Sequence, residues 1–165
     1  MAKLHFRYGA MNCGKTTSLL QVAYNYEERK MKVIIIKSMI DTKGDNNIVS
    51  RIGLERKVDL LLAKDDSVIE KLDNKLNDVA CILVDEAQFL DPVQVTELWK
   101  ITKVYDIPVI CYGLRSDFKT NGFPGSMRLM ELADELDELI TICRCGKRAK
   151  FNARKVNGEF VSEGE

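Results

Sequence analysis

The chain has 165 residues, a length that predicts one domain, or one domain with a small appendage. Lysine and arginine together number 25, as do aspartate and glutamate, so the net charge of zero gives no general attraction to nucleic acid or to an acidic membrane. No apolar run reaches the length of a transmembrane helix and the first residues lack a signal-peptide core, so a cytoplasmic protein is expected. Its five cysteines are expected to be reduced or metal-bound rather than paired.

Residues 9–16 carry the pattern G-x-x-x-x-G-K-[ST], which is typical of a phosphate-binding P-loop. A strand is predicted before it at residues 4–8, a helix after it at residues 16–30, and a buried strand at residues 33–36. Glycines let the backbone approach a polyphosphate, the lysine adds positive charge near the β- and γ-phosphates, and the threonine offers a hydroxyl to Mg²⁺. The loop residues predicted to bind ATP are Gly9, Ala10, Met11, Asn12, Cys13, Gly14, Lys15 and Thr16.

A second motif is an apolar run over residues 79–86 that ends in an acidic pair, Asp85 and Glu86. In nucleotide-binding proteins a strand of this kind delivers its aspartate to Mg²⁺. The glutamate, at the rigid tip of the strand and near the γ-phosphate, has the position expected of a general base. A surface acidic pair without function is the alternative, and the preceding P-loop makes it the less favoured one.

The segments around this motif are predicted from their capping and turn residues. Residues 38–57 are polar and irregular, which favours a solvated loop over a ligand-binding segment. Residues 67–70 form a capping box that predicts a short helix toward Leu76. Asp91 and Pro92 are predicted to begin another helix, as its N-cap and first turn.

The next predicted buried strand, at residues 108–113, leads into a loop at residues 114–125. Phe118 and Phe123 lie there among glycine, proline and asparagine, where aromatic side chains are expected to stack on a ligand, and burial in the core is the alternative. A last strand of the sheet is predicted at residues 136–142. The helix before it is predicted to begin at Ser126 and to bury Met127, Leu129, Met130 and Leu132.

The character of the chain changes after residue 142. Cys143 and Cys145 form a turn with two thiols, followed by basic residues and by a predicted hairpin with Asn157 and Gly158 at its tip. A cysteine turn before a hairpin suggests half of a zinc ribbon, but structural zinc takes four ligands and no cysteine or histidine follows, so an empty site and a filled one are equally compatible. We predict a P-loop core at residues 1–141 and a partial zinc-ribbon subdomain at residues 142–165.

Taken together, these motifs resemble those of the type II thymidine kinases. The P-loop is similar to the family's G-P-M-F-S-G-K-[ST], residues 85–89 match D-E-[AG]-Q-F, and residues 112–118 are similar to Y-G-[LI]-R-T-D-F. The motifs follow the family's order through most of the chain, which makes the combination specific although the P-loop alone is not. The resemblance implies an α/β fold of the P-loop NTPase class with a RecA-like, mostly parallel sheet flanked by helices, a small zinc-bearing lasso subdomain, and a homotetramer.

The resemblance also implies a reaction and a role for each matching residue. The γ-phosphoryl group of ATP, bound with Mg²⁺, moves to the 5′-hydroxyl of thymidine; Glu86 resembles the catalytic base, and Thr16 and Asp85 the magnesium ligands. Cys143 and Cys145 resemble two ligands of a structural Zn²⁺. Further ATP contacts are implied for Asp85, Glu86, Ala87 and Gln88, and nucleoside contacts for Met11, Phe89, Arg115 and Phe123.

Three departures from the family pattern qualify these expectations. Ala10, Asn12 and Cys13 replace the family's proline, phenylalanine and serine without removing a backbone donor, so the phosphate site is expected to persist. Asp41 and Lys43 match the family's D-x-R only in part. The remaining zinc ligands and the lasso lie beyond residue 165 in the family, so the sequence is expected to be shortened.

Two other functions are compatible with the same motifs. One is a P-loop ATPase in which the acidic residue after the strand activates water, and the other is a nucleotide-binding protein without catalysis. The phenylalanine-containing loop after residues 108–113 favours the kinase, because neither alternative needs it.

Overall fold

The computed structural model describes residues 1–10, 14–40, 47–50, 53–117 and 119–140, and the backbone of residues 141–142, 148–149, 154–156 and 159–161. Its helices are α1 (Lys15–Glu28), α2 (Val68–Lys71), α3 (Pro92–Val104) and α4 (Pro124–Leu132), and a 3-10 turn spans Ala87–Phe89. The strands are β1 (Leu4–Tyr8), β2 (Lys32–Ser38), β3 (Asn47–Val49), β4 (Glu55–Lys57), β5 (Leu60–Leu62), β6 (Val79–Asp85), β7 (Val109–Gly113), β8 (Glu135–Glu138), β9 (Thr141–Ile142), β10 (Arg148–Ala149), β11 (Arg154–Val156) and β12 (Glu159–Val161).

The central sheet has six strands in the order β5-β2-β6-β7-β1-β8, and each neighbouring pair is parallel. Three smaller antiparallel pairs join β3 to β4, β9 to β10, and β11 to β12. The strands of this parallel sheet alternate with helices along the chain, which confirms the predicted α/β fold of the P-loop class. Strand β7 lies between β1 and β6, so the strand before the P-loop and the strand before the acidic pair are not direct neighbours.

Strand β2 shows that the sheet is covered on both faces, as its unbroken β-branched sequence predicted. Ile34 and Ile36 pack in one apolar cluster, together with side chains from α3 and α4. Val33 and Ile35 pack in a second cluster, together with side chains from α1. Full burial of such side chains contributes on the order of 1.5–3 kcal/mol each, so the two clusters fix the helices on opposite faces of the sheet.

Helix α3 begins at Pro92, as predicted, because Asp91 caps it. The Asp91 carboxylate accepts a hydrogen bond of 2.9 Å from the Gln94 backbone N–H, and Gln94 Oε1 accepts one of 3.1 Å from the Asp91 N–H. Gln94 Nε2 also donates to the carbonyls of Ala63 and Asp66, over 3.0 and 3.1 Å. The cap therefore joins α3 to the chain that precedes α2.

Helix α2 is shorter than predicted. Ser67 caps it as expected, accepting a hydrogen bond from the Glu70 N–H, but the helix ends at Lys71 instead of continuing toward Leu76. Asn74 has a φ of 64°, a left-handed conformation that a right-handed helix does not accommodate.

The strand predicted at residues 136–142 is in fact two strands. β8 pairs with β1 as far as Glu138, which lies opposite Tyr8, and β1 ends there because the P-loop begins at the next residue. β9 pairs instead with β10. The region at residues 38–57, predicted to be irregular, contains the antiparallel pair β3–β4. The predicted C-terminal hairpin is present as β11–β12, and its tip lies outside the described residues.

Helix α4 buries less of its surface than predicted. Leu129 is fully buried, but the Met127 side chain is 58% exposed. The helix begins at Pro124, two residues earlier than predicted, and is nine residues long. Its packing is limited to one narrow face, so Met130 and Leu132 are only partly buried against the core.

Cys81 and Cys111 are free and buried in the sheet, which fits the expectation of reduced thiols for these two residues. Burial raises the pKa of Cys81 to about 12 and raises that of Cys111 further, so neither thiol ionises readily. Within the described ranges, no helix is both long enough and apolar enough to cross a membrane.

We predict that Asp91→Ala lowers the free energy of unfolding by about 1 kcal/mol, because the first turn of α3 loses its cap. The measurement is the urea midpoint at constant m-value. Asp73→Ala, at an exposed aspartate in the turn after α2, is the matched control and should leave the midpoint nearly unchanged. Equal midpoints for the two variants would contradict the stabilising role of the cap.

Candidate active site

The predicted functional segments meet at one edge of the sheet. Because β1, β6 and β7 are parallel, their carboxyl ends lie on the same side. The P-loop follows β1, the acidic pair ends β6, and the loop predicted to contact a nucleoside follows β7. This is the edge at which open α/β sheets bind their ligands.

The described part of the P-loop has the backbone that its glycines predicted. Gly14 has a φ of 80°, a left-handed conformation that glycine adopts without strain, and it directly precedes α1. The Ser18 N–H donates to the Gly14 carbonyl over 2.9 Å, which begins the helix. Lys15 Nζ donates to the Ala10 carbonyl over 2.9 Å, so its side chain reaches back to the start of the loop. Met11, Asn12 and Cys13 lie outside the described residues.

Asp85 is buried at the carboxyl end of β6, with 6% of its surface exposed. It is in register with Lys37 on β2, which is buried to 2% exposure. Neighbouring opposite charges in a buried place offset part of each other's desolvation cost. Thr16, on the first turn of α1, is partly exposed, and its predicted role with Mg²⁺ remains a prediction.

Glu86 lies just beyond β6 in an unusual backbone conformation. Its φ and ψ are 50° and 44°, in the left-handed region, which is uncommon for residues other than glycine. Such conformations cost free energy and are found more often at functional sites. The side chain is half-buried and accepts a hydrogen bond from Gln88 Nε2. The conformation turns the chain directly from the strand into the 3-10 turn.

Phe89 and Phe123, predicted to contact the nucleoside, are brought together. Their ring centroids lie 6.0 Å apart with an interplanar angle of 79°, an edge-to-face arrangement, and both rings are half-buried. The contact depends on Gly125, because a methyl group there would overlap the Leu90 carbonyl oxygen and lie 3.1 Å from the Ala87 carbonyl oxygen. The start of α4 therefore packs directly on the 3-10 turn.

The loop between β7 and α4 is closed by hydrogen bonds that the sequence analysis did not identify. Asp117 Oδ1 accepts from the N–H groups of Lys119 and Asn121, over 2.8 and 3.0 Å. Ser116 and Gly122 form an antiparallel bridge across the loop. The aspartate followed by a Thr-Asn-Gly sequence was a turn signal that could have predicted this closure. Phe118 lies outside the described residues.

The remaining predicted site residues differ in where they lie. Arg115 is half-buried in the loop after β7, at the same edge as the P-loop. Ala87 and Gln88 are buried, with 0% and 3% of their surface exposed, and their contact with ATP remains a prediction. Asp41, Lys43, Cys143 and Cys145 lie outside the described residues.

A histidine–carboxylate group on strands β1 and β8 was not identified from the sequence. Ligand atoms of His5, Glu135 and Asp137 lie within 4.8 Å of one another. Glu135 already forms an ion pair of 2.6 Å with Lys3, and Asp137 lies 4.0 Å from Arg7 Nε. Both carboxylates are exposed and already face cations of the protein, so we assign this group no metal.

Comparison with known proteins identifies the family. The family model described as thymidine kinase matches residues 2–164. The chain belongs to the thymidine kinase family. The thymidine kinase of Ruegeria pomeroyi is 45% identical, over 99% of this chain and 84% of that protein. The thymidine kinases of Rhizobium meliloti and Legionella pneumophila are 46% and 47% identical, over 87% and 81% of their lengths.

The family match spans all the motifs at the active-site edge. It includes the P-loop, the acidic pair with its 3-10 turn, and the loop after β7. Among solved structures, the ATPase DotB of Legionella pneumophila is 14% identical over 90% of this chain and 44% of that chain, with a TM-score of 0.48. Because this TM-score is below 0.5, the similarity adds nothing to the fold argument, which depends on the strand order.

We predict that Gly125→Ala lowers both the melting temperature and the turnover number, because the new methyl group must displace the backbone of the 3-10 turn. Overpacking of this kind typically costs about 1–3 kcal/mol. Gly122→Ala is the matched control in the same loop. Its methyl group would lie 2.9 Å from Met127 Cγ, an exposed side chain that can move. Thermal unfolding and steady-state kinetics of both variants test the prediction, and equal losses would refute it.

Proposed function

We propose that this member of the family transfers the γ-phosphoryl group of ATP to the 5′-hydroxyl of thymidine by direct in-line displacement. The observation that carries the proposal is the position of Glu86. Its carboxylate accepts a hydrogen bond from Gln88 at the edge of the sheet where the P-loop begins. Its backbone carbonyl accepts one of 3.1 Å from the N–H of Phe89, whose ring packs on that of Phe123. A base, a phosphate site and an apolar wall are the parts that phosphoryl transfer to a nucleoside requires.

The nucleotide side of the site uses the P-loop and Asp85. Backbone N–H groups of Gly9 to Thr16 and the start of α1 are proposed to hold the phosphates, with Lys15 exchanging its bond to the Ala10 carbonyl for the β- and γ-phosphates. A hydroxyl on Thr16 and the buried carboxylate of Asp85 are hard oxygen donors, which fit Mg²⁺. When bound with ATP, Mg²⁺ neutralises part of the phosphate charge.

The nucleoside side is proposed to use the aromatic pair. Phe89 and Phe123, half-buried and edge-to-face, offer an apolar wall for the thymine ring. Met11 and Arg115 are proposed to complete the nucleoside side of the site. From there the guanidinium group of Arg115 is also proposed to approach the phosphates. A ring held against this wall would direct the sugar 5′-hydroxyl toward the acidic residue at the end of β6.

In the proposed step, Glu86 takes the proton of the 5′-hydroxyl as the hydroxyl oxygen attacks the γ-phosphorus. A bond forms between that oxygen and phosphorus, and the bond from phosphorus to the β–γ bridging oxygen breaks, so ADP carries away the electron pair. Lys15 stabilises the negative charge that spreads over the transferred group. The products are thymidine monophosphate, ADP and a proton.

The remaining properties are proposed from the resemblance. Cys143 and Cys145 are proposed to contribute two ligands to a structural Zn²⁺, in a subdomain at residues 142–165 that follows a P-loop core at residues 1–141. We also propose a cytoplasmic homotetramer that acts on ATP and thymidine, with no nucleic acid or membrane partner. Zinc analysis of the purified protein tests for the bound Zn²⁺, and light scattering tests for the homotetramer.

The distinguishing assay combines purified protein, ATP, Mg²⁺ and a panel of nucleosides, with the 5′-monophosphate as the measured product. Thymidine-dependent product formation is the expected result. Release of phosphate from ATP without any nucleoside would favour the ATPase instead. Binding of ATP with neither reaction would favour a protein without catalysis.

We predict that Glu86→Gln lowers the turnover number by roughly 10²-fold or more, the usual contribution of a positioned base. The amide keeps the size of the side chain but cannot accept the proton. Glu28→Gln, at the exposed end of α1, is the control and should retain normal turnover. Turnover near that of the unmodified enzyme would remove Glu86 from the role of base.

We predict that Lys15→Ala raises the KM for ATP and lowers turnover with every nucleoside, because the phosphates lose their fixed positive charge. The exposed Lys100→Ala on α3 controls for loss of a lysine elsewhere. Initial rates at varied ATP and saturating thymidine give both parameters. Unchanged ATP kinetics would exclude Lys15 from the phosphate site.

A further inference from the structure

Gln88 lies between the proposed base and the strand that precedes the nucleoside loop. It is in the middle of the 3-10 turn, and 3% of its surface is exposed. Its Nε2 donates to Glu86 Oε2, and its Oε1 accepts from the Leu114 backbone N–H over 3.2 Å. Both ends of one buried amide are therefore hydrogen-bonded, one to the base and the other to the chain just after β7.

The backbone fixes which way this amide points. The N–H of Leu114 can only donate, so the atom that faces it must be the amide oxygen. The amide NH₂ group must then face Glu86, where it meets an acceptor. A carboxylate that accepts a hydrogen bond from a buried donor loses much of its rotational freedom.

Gly113 leaves the space that the amide occupies. A methyl group at Gly113 would lie 2.7 Å from Gln88 Oε1 and 3.1 Å from the Gln88 backbone nitrogen. The end of β7 therefore packs directly against the amide, and any larger residue there would clash with it. Because the backbone of Glu86 is also in a left-handed conformation, the direction of its side chain is restricted from two sides.

We infer that Gln88 is a positioning residue: it holds Glu86 Oε2 through its amide NH₂ and leaves Oε1 directed at the nucleoside 5′-hydroxyl. The inference rests on the proposed function, in which Glu86 is the base. A base in a fixed orientation meets its proton without a search among rotamers, and small displacements of reacting groups cost up to about 100-fold in rate. Gln88 itself touches no reacting atom in this arrangement.

The test is a double-mutant cycle on kcat that pairs Gln88→Glu with Glu86→Gln. Gln88→Glu keeps the acceptor for Leu114 but replaces the donor with a second carboxylate, which repels Glu86. Alone, it is expected to lower kcat by about 10- to 100-fold. In the Glu86→Gln background, where there is no base to position, it should change kcat by less than about threefold.

Two further variants distinguish an effect on kcat from an effect on folding. Gln88→Met removes the donor without adding a buried charge, and its effect on kcat must also disappear in the Glu86→Gln background. Gln21→Glu, at an exposed position on α1, is the matched control for the amide-to-acid change and should leave kcat unchanged in both backgrounds. Thermal unfolding of each variant measures stability separately from rate.

Each result separates this inference from the proposed function. If Glu86→Gln alone leaves kcat near normal, both fail, because Glu86 is then not the base. If Glu86→Gln lowers kcat but Gln88→Glu and Gln88→Met do not, the positioning role alone is overturned. If the Gln88 substitutions lower kcat by the same factor in both backgrounds, Gln88 acts independently of Glu86, and the inference is again overturned.

Discussion

Close backbone approach at Gly113 joins the segments of the active site. The carbonyl of Gly113 accepts a hydrogen bond of 3.3 Å from the Gly9 N–H, where the P-loop begins. Its Cα faces the buried amide of Gln88, with no room for a side chain. At Gly125 the first turn of α4 meets the carbonyls of the 3-10 turn in the same way. The phosphate loop, the turn with the acidic residue and the aromatic pair thus share one rigid support.

The parallel sheet determines which residues can cooperate at this support. Strands β1, β6 and β7 end at one edge, so residues far apart in the sequence become neighbours without long connecting loops. Two apolar clusters fix the sheet between its helices, and polar groups that have no place in such a core are concentrated at the edge. Asp85 and Lys37 are buried at this edge, in register with each other near the carboxyl ends of β6 and β2.

The sequence predicted the parts of this arrangement that depend on local patterns. The P-loop, the buried strands and the cap of α3 have short-range signals, namely glycine and lysine spacing, β-branched runs and an Asp-Pro pair. Features that depend on tertiary contacts were not predictable in this way. The early end of α2 follows from a left-handed Asn74, and the division of residues 136–142 follows from where β1 stops.

The same distinction between local sequence patterns and tertiary contacts applies within the site. The motif around Glu86 predicted an acidic residue at a strand tip, but not the hydrogen bond from Gln88, which needs the end of β7 beside it. Phe89 and Phe123 are 34 positions apart, and the close packing at Gly125 brings their segments together. The exposure of Met127 was likewise set by how little of α4 the core covers.

The left-handed backbone at Glu86 sets the stability of the fold against the proposed catalytic role of that residue. A left-handed conformation costs a residue with a side chain about 1–2 kcal/mol, and glycine or asparagine avoids most of that cost. A search for more heat-resistant sequences that ignored turnover would therefore favour losing the carboxylate. With Glu86 as the proposed base, the glutamate exchanges part of the protein's stability for a proton acceptor.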